Sequence, residues 1–249
     1  MAKNNKSGIL LGLGLFIMGV MIIPMLASCS KTGVSGGSGQ NARLQIVNLS
    51  PDIQPFNLYA FFIKQSAASY YYPNPSGYFL VNTIDTPFQI RTSVTTNGIN
   101  PTNLLTLPGS LKPGVPYTWF VTGLKADSSL TSIVTVDTAG APPNGRGKVR
   151  FVNASPTAIN MNLTLNDTAA FKNIPYKTVT DYIEVTAGNY DFNVVATSAP
   201  KTVLAPVNKY TVLDGKLYTV YFYGLSNSTD SAKYSANILL NSLPVGTKY

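Results

Sequence analysis

The chain has 249 residues, enough for one or two domains with hydrophobic cores of their own. Charged residues make up 11% of it, while Tyr, Thr, Ser, Asn, Val, Gly and Pro are abundant, a bias towards strand- and turn-formers that favours an all-β chain. With 18 basic and 10 acidic residues it is basic, yet the cations are scattered singly, Arg146, Lys148 and Arg150 being the densest group. The clustered footprint of a nucleic-acid binder is missing, so nucleic acid is not an expected partner.

Histidine is absent, which excludes serine–histidine triads and histidine metal sites. The one cysteine, Cys29, leaves no intrachain disulfide and no paired-cysteine metal or redox centre. Neither a metal nor a cofactor is expected.

At the start of the chain, Lys3 and Lys6 precede an apolar stretch from Gly8 to Ala27, the basic and hydrophobic regions of a secretory signal. It ends in Leu26, Ala27, Ser28 and Cys29. Those four residues resemble the bacterial lipobox. The resemblance implies that residues 1–28 are removed and that Cys29 carries a diacylglycerol and an acylated amino terminus. Two or more acyl chains anchor stably where one is marginal. Residues 29–41 then read as the lipidated cysteine and a Gly/Ser tether, which over about a dozen residues reaches roughly 20 Å. Ser30 stands where Asp resembles an inner-membrane retention signal, and no acid follows Cys29 closely. The first feature points to the outer membrane, and the second to its periplasmic face in preference to the cell surface.

The remainder repeats itself. Arg43 to Pro51 matches Lys148 to Pro156, with Val-Asn-x-Ser-Pro identical. Tyr78, Val81, Phe88 and Ile90 recur as Tyr182, Val185, Phe192 and Val194. Gly114, Tyr117, Thr118, Gly123 and Leu124 recur as Gly215, Tyr218, Thr219, Gly224 and Leu225. Three blocks in one order at nearly constant offset indicate duplication. The spacing predicts one repeat over 42–138 and another over 148–249, joined by a Gly- and Pro-rich linker at 139–147. Within each repeat the apolar period is two. Short runs lie at 43–46, 57–63, 88–94, 117–122 and 133–136, then at 148–151, 161–165, 190–195, 218–223 and 236–240. Runs of this length, bounded by Pro, Gly, Asn or Asp, predict two tandem immunoglobulin-like β-sandwich domains.

The Val-Asn-Ala-Ser-Pro segment at 152–156, the block Asp181 to Phe192 and the Tyr-Thr-Val-Tyr-Phe-Tyr-Gly-Leu segment from Tyr218 resemble the bacterial domain of unknown function 4397. The resemblance covers nearly all of the chain after the signal, more faithfully in the second repeat. It implies a secreted or lipid-anchored tandem β-sandwich protein without an assigned activity. The first repeat departs from the pattern by inserting the aromatic stretch from Tyr70 to Pro75 and by lacking a counterpart of Ala187-Gly188.

Candidate chemistry is sparse. Glu184 is the only glutamate and the aspartates sit in turn-like contexts, so a converging carboxylate pair is not expected and the chain reads as a non-enzyme. Tyr70, Tyr71, Tyr72 and Tyr78, around Pro73 and Pro75, form a candidate ligand-binding loop, since tyrosines present an apolar body with a polar tip to sugars or proteins. Asp137-Thr138-Ala139, Asp167-Thr168-Ala169 and Asp230-Ser231-Ala232 resemble a bacterial O-glycosylation triplet, with Thr138, Thr168 and Ser231 as acceptors. The expected function is a non-catalytic, lipid-anchored envelope protein with a binding, adhesion or structural role. Its expected partners are the membrane and a glycan or envelope protein. The alternatives are a glycan-binding accessory lipoprotein using the loop tyrosines and, less favoured, an envelope hydrolase.

Overall fold

Among the described residues the chain forms sixteen strands, eight in each repeat. The computed structural model describes residues 39–241 apart from 54, 66–67 and 94–99, and among the described residues there is no helix. The first repeat comprises β1 (Asn41–Asn48), β2 (Phe56–Ala60), β3 (Ile63–Lys64), β4 (Phe79–Asn82), β5 (Phe88–Thr92), β6 (Asn103–Thr106), β7 (Pro116–Thr122) and β8 (Thr131–Val136). The second comprises β9 (Arg146–Asn153), β10 (Asn160–Leu165), β11 (Thr168–Pro175), β12 (Ile183–Thr186), β13 (Gly188–Ala196), β14 (Ala199–Val212), β15 (Leu217–Tyr223) and β16 (Ser235–Leu240).

Four sheets result, with strand orders β4-β1-β7-β8 and β3-β2-β5-β6 in the first repeat, then β12-β9-β15-β16 and β11-β10-β13-β14 in the second. The second pair reproduces the first strand for strand. The tandem β-sandwich architecture is therefore the one expected. Compared with the seven-strand immunoglobulin arrangement, each repeat has an eighth strand and sets its first strand parallel to its seventh: β1 runs with β7 and β9 with β15.

Parallel pairs are normally covered on both faces, and burial along these strands shows what covers them. Leu44, Ile46, Tyr117, Trp119 and Val121 turn into the first sandwich core with Phe56, Leu58, Phe88 and Ile90 from the facing sheet. The intervening residues Val47, Leu49 and Phe120 point the other way and meet Val152, Ala154, Tyr221 and Tyr223 of the second repeat. Val149, Phe151, Tyr218, Val220 and Phe222 in turn face the second sandwich core. The four sheets thus stack as layers, the two inner ones buried on both sides, with the repeats sharing a third apolar cluster.

The strand pairings also fix the two ends of the body. Asn41 pairs with Asn82, the β7 start Arg43↔Pro116 lies beside it, and Tyr117 pairs with the β8 end Val136. Chain entry into β1, the β4–β5 turn and the exit of β8 therefore share one end, called here the proximal end. The distal end carries Asn48 and the Tyr70–Tyr72 stretch, because Tyr70 bridges to Phe56 at the start of β2. Also distal are Gly123 and Gly224, with φ of +82° and +93°, where an added Cβ would lie 2.2 Å from the carbonyl oxygens of Ser129 and Lys233. This close approach accounts for the recurrence of Gly-Leu in both copies.

The linker is shorter than the sequence suggests. Arg146 and Gly147, expected at its end, are strand residues of β9: Gly147 pairs with Val185, and a Cβ there would meet Val212 Cγ1 at 2.5 Å. That glycine thus serves close packing, while its composition mimics a turn. Likewise the run 57–63 is cut by a turn at Phe61–Phe62 between β2 and β3.

Candidate functional site

The Tyr70–Tyr78 segment is mostly turned inwards. The Tyr70 ring lies 5.7 Å from Phe56 and 6.3 Å from Phe79, packed against the first core. Tyr72 meets Tyr223 of the second repeat edge-on at 6.1 Å and its hydroxyl donates to the Ser231 carbonyl at 3.4 Å. Tyr78 donates to Asp137 Oδ2 at 2.6 Å and accepts from Asn241 Nδ2 at 3.1 Å. Of the four, Tyr71 alone is exposed, at 57%. Tyr72 and Tyr78 thus join the repeats, and a ligand approaching this loop from solvent would meet chiefly Tyr71.

Tyr78 leads to a polar node absent from the sequence reading. Asp137, just past β8, is buried. Its Oδ2 also accepts from Thr118 at 2.5 Å, and its Oδ1 accepts from Thr135 at 2.7 Å and from Arg150 Nη2 of the second repeat. Arg150 donates further to the Val136 carbonyl and to Thr219 Oγ1, each at 2.8 Å, with its guanidinium 4.7 Å from the Tyr182 ring centroid. Side-chain exposures of 5% and 0% make Arg150–Asp137 a buried ion pair. The duplication supplies a signal that could have revealed it. Arg150 occupies the repeat position of Gln45, and Asp137 that of Asn241, which likewise follows the last strand. At two matched positions, one copy is charged where the other is neutral, and the two charges are opposite.

Several hollows among the described residues offer space to a ligand. One of about 440 Å³ in the first repeat is lined by Gln65, Ser69, Tyr70, Ser76, Phe79 and Leu80, among others. A second, of about 580 Å³, opens at the distal loops of the second repeat among Ile159, Asn160, Asn173, Thr197, Ser198 and Tyr234. Its lining bears no charge. Tyr234 packs on Phe222 at 4.9 Å and donates to the Thr157 carbonyl at 3.2 Å.

A family described as domain of unknown function (DUF4397) matches residues 42–164 and 147–239. The chain belongs to this family. No curated protein matches it. The first DUF4397 match runs on through β9 and into β10 of the second repeat. The Val-Asn-x-Ser-Pro segments shared by the two DUF4397 repeats are turn-builders. Asn48 and Asn153 accept the N–H of Ser50 and Ser155 through Oδ1, at 3.1 and 3.3 Å. Their amide groups donate to the Tyr70 and Ile174 carbonyls, at 3.5 and 3.0 Å.

Thr138, Thr168 and Ser231 are all exposed, Thr168 opening β11 after the tight Asn166–Asp167 turn. Leu26, Ala27, Ser28 and Cys29 lie outside the described residues. Among the described residues no helix is long and apolar enough to cross a membrane, and no group of three or more acids and cysteines is placed to hold a metal ion.

Two tests address the node. Removing one partner of a buried ion pair strands the other charge and destabilises by about 3–5 kcal/mol. Asp137→Asn and Arg150→Gln should therefore each destabilise markedly. The double variant, which gives both repeats their neutral counterparts, should be more stable than the sum of the singles by about 1–3 kcal/mol in a urea-denaturation cycle.

The second test uses pH. Burial and the adjacent Asp137 carboxylate push the Tyr78 hydroxyl well above its ordinary value of 10. The neutral phenol is thus favoured in the folded state. Its contribution is complete below pH 10 and is lost as pH rises from there towards the folded value. Stability should decline above pH 10, and Tyr78→Phe should soften that decline while lowering stability at neutral pH, as read from denaturant midpoints.

Proposed function

We propose that this DUF4397 protein is a lipid-anchored component of the bacterial envelope, held at the outer membrane through Cys29. In this reading its two-sandwich body is a non-catalytic module for binding, adhesion or scaffolding. The anchor rests on the lipobox-like Leu26-Ala27-Ser28-Cys29 at the end of an apolar segment, followed by the Gly/Ser tether.

The observation that carries the non-catalytic part is where eight of the ten acidic side chains go. Asp52, Asp127, Asp191, Asp214 and Asp230 accept backbone N–H groups and shape turns or splice loops. Hydrogen bonds from Ser129 and Ser228 hold the Asp127 and Asp230 carboxyls below the usual range, the opposite of what a general acid at neutral pH requires. Asp137 is committed to Arg150, Glu184 lies 3.8 Å from Lys148, and Asp85 accepts from Asn82 at 3.3 Å. Acids spent on architecture suit a scaffold better than a hydrolase.

A second reading, glycan binding, is favoured by the distal hollow of the second repeat. There amide and hydroxyl groups of Asn160, Asn173, Thr197 and Ser198 surround the apolar surfaces of Ile159 and Tyr234, a combination suited to a neutral, polyhydroxylated ligand. On this reading a glycan would meet Tyr234 in preference to the Tyr70–Tyr78 loop.

The anchor is tested by intact mass and membrane fractionation. The purified protein should begin at Cys29 with acyl mass added, and Cys29→Ala should be released from membranes or accumulate as the uncleaved precursor. A membrane-bound mature form of Cys29→Ala would refute it. On a glycan array, Tyr234→Ser should abolish any signal with the melting transition retained, whereas Tyr71→Ser should do so only if the first-repeat loop is the site.

A further inference from the structure

Both repeats close their second and third strands with the same two-residue turn. In the second repeat Leu165 pairs with Thr168 across Asn166 and Asp167, at φ of 46° and 63°. Asn and Asp are residues that tolerate this left-handed geometry. In the first repeat Ala60 pairs with Ile63, and the equivalent turn, at φ of 47° and 65°, is made by Phe61 and Phe62. For bulky side chains such φ values are outliers, and among the described residues these are the only aromatic ones held there. Their rings are not sheltered in compensation. Phe61 is 61% exposed, Phe62 57%, Ile63 56% and, in the neighbouring β4–β5 turn, Ile84 68%.

This apolar tip adjoins the point where the chain enters the body. The Phe61 N–H donates to the Asp85 carbonyl at 2.9 Å. Two residues before Asp85, Thr83 donates through both its N–H and its hydroxyl to the Gln40 carbonyl, each at 2.9 Å. Gln40 is ten residues past Ser30, so the chain between Cys29 and Gln40 spans at most about 40 Å even when fully extended. Basic side chains flank the tip. Lys64 is exposed beside Ile63, and the Arg91 guanidinium lies 5.6 Å from the Phe62 ring. One carboxylate, Asp85, is also present and accepts from Asn82.

We propose that the Phe61-Phe62-Ile63 turn, with Ile84, inserts into the interfacial region of the bilayer and fixes the body with its proximal end on the membrane. Strain at an exposed apolar turn is retained where function uses it, and aromatic tips with basic neighbours suit the headgroup boundary. The inference rests on the lipid-anchor reading insofar as the anchor keeps a bilayer within reach of the tip.

The test uses the full-length protein, purified from membranes and reconstituted into vesicles of phosphatidylethanolamine and phosphatidylglycerol with brominated acyl chains. Ile84→Trp supplies the reporter, and Tyr71→Trp at the distal end is the control. The native Trp119 is fully buried and constant in both. The Ile84→Trp emission should shift to the blue and be quenched by brominated lipid, with the control unaffected. Installing the second repeat's own residues, Phe61→Asn with Phe62→Asp, should reduce quenching to the control level. The same pair should raise the melting temperature by about 2–4 °C, a gain that a purely structural role for the phenylalanines would not give.

Emission from Ile84→Trp that is insensitive to brominated lipid overturns the proposal whatever the state of Cys29. A blue shift without lipid that grows with protein concentration also overturns it, by assigning the tip to a second copy of the chain. Quenching in a protein whose Cys29 proves unmodified would uphold the tip while removing the anchor.

Discussion

The structure depends on the burial of its two inner sheets from both sides. A strand in such a sheet has no face for water, so the residues along β1, β7, β9 and β15 that face the shared layer meet apolar partners of the other repeat or hydrogen-bonded polar groups. Val47, Leu49, Phe120, Val152 and Tyr221 take the first course. Gln45, Thr118, Arg150 and Thr219 take the second, or lie buried among those that do. The shared layer joins the repeats into a single compact body. Apolar contact supplies most of the driving force, and the Asp137–Arg150 pair defines how the sheets align, since a misaligned stack would leave a buried charge without its counter-charge.

Duplication gives the two sandwiches one topology, and their differences show where they have diverged. Gln45 against Arg150 and Asn241 against Asp137 convert a neutral pair of positions into an ion pair across the shared layer. Asp52 and Thr157 stand at one repeat position and do one job, accepting loop N–H groups from Lys125 and Ala126 in the first copy and from Ser226 in the second. Phe61-Phe62 against Asn166-Asp167 is a different kind of change. Backbone geometry stays the same while side-chain preference is violated in one copy only.

The sequence made the interior legible and the margins obscure. Period-two alternation marks β1, β2, β5, β7, β8, β9, β10, β13, β15 and β16. The strands it passes over are β3, β4, β6, β11, β12 and β14, each at the edge of its sheet. An edge strand is paired on one side and half-covered, so its residues need not alternate cleanly. β14 is 14 residues long and even contains Pro206, which a central strand would not accommodate. The inner strands carried a hint that was open to reading, because Val47-Asn-Leu49 and Val152-Asn-Ala154 are apolar at positions that a one-sided sheet would leave polar. The loop tyrosines illustrate the opposite difficulty. Aromatic residues among prolines look the same in sequence whether they face solvent or, like Tyr72 and Tyr78, a neighbouring domain. Three-dimensional placement alone separated Tyr71 from its neighbours.

The position of β1 has a mechanical consequence. It is paired with β4 on one side and β7 on the other, and the chain enters it at the proximal end. Tension applied through Gln40 acts along the strand axis, so the rungs on both sides are loaded together in shear and cannot be peeled away one after another. A body pulled from this point resists through a strand that is paired along both edges and covered on both faces.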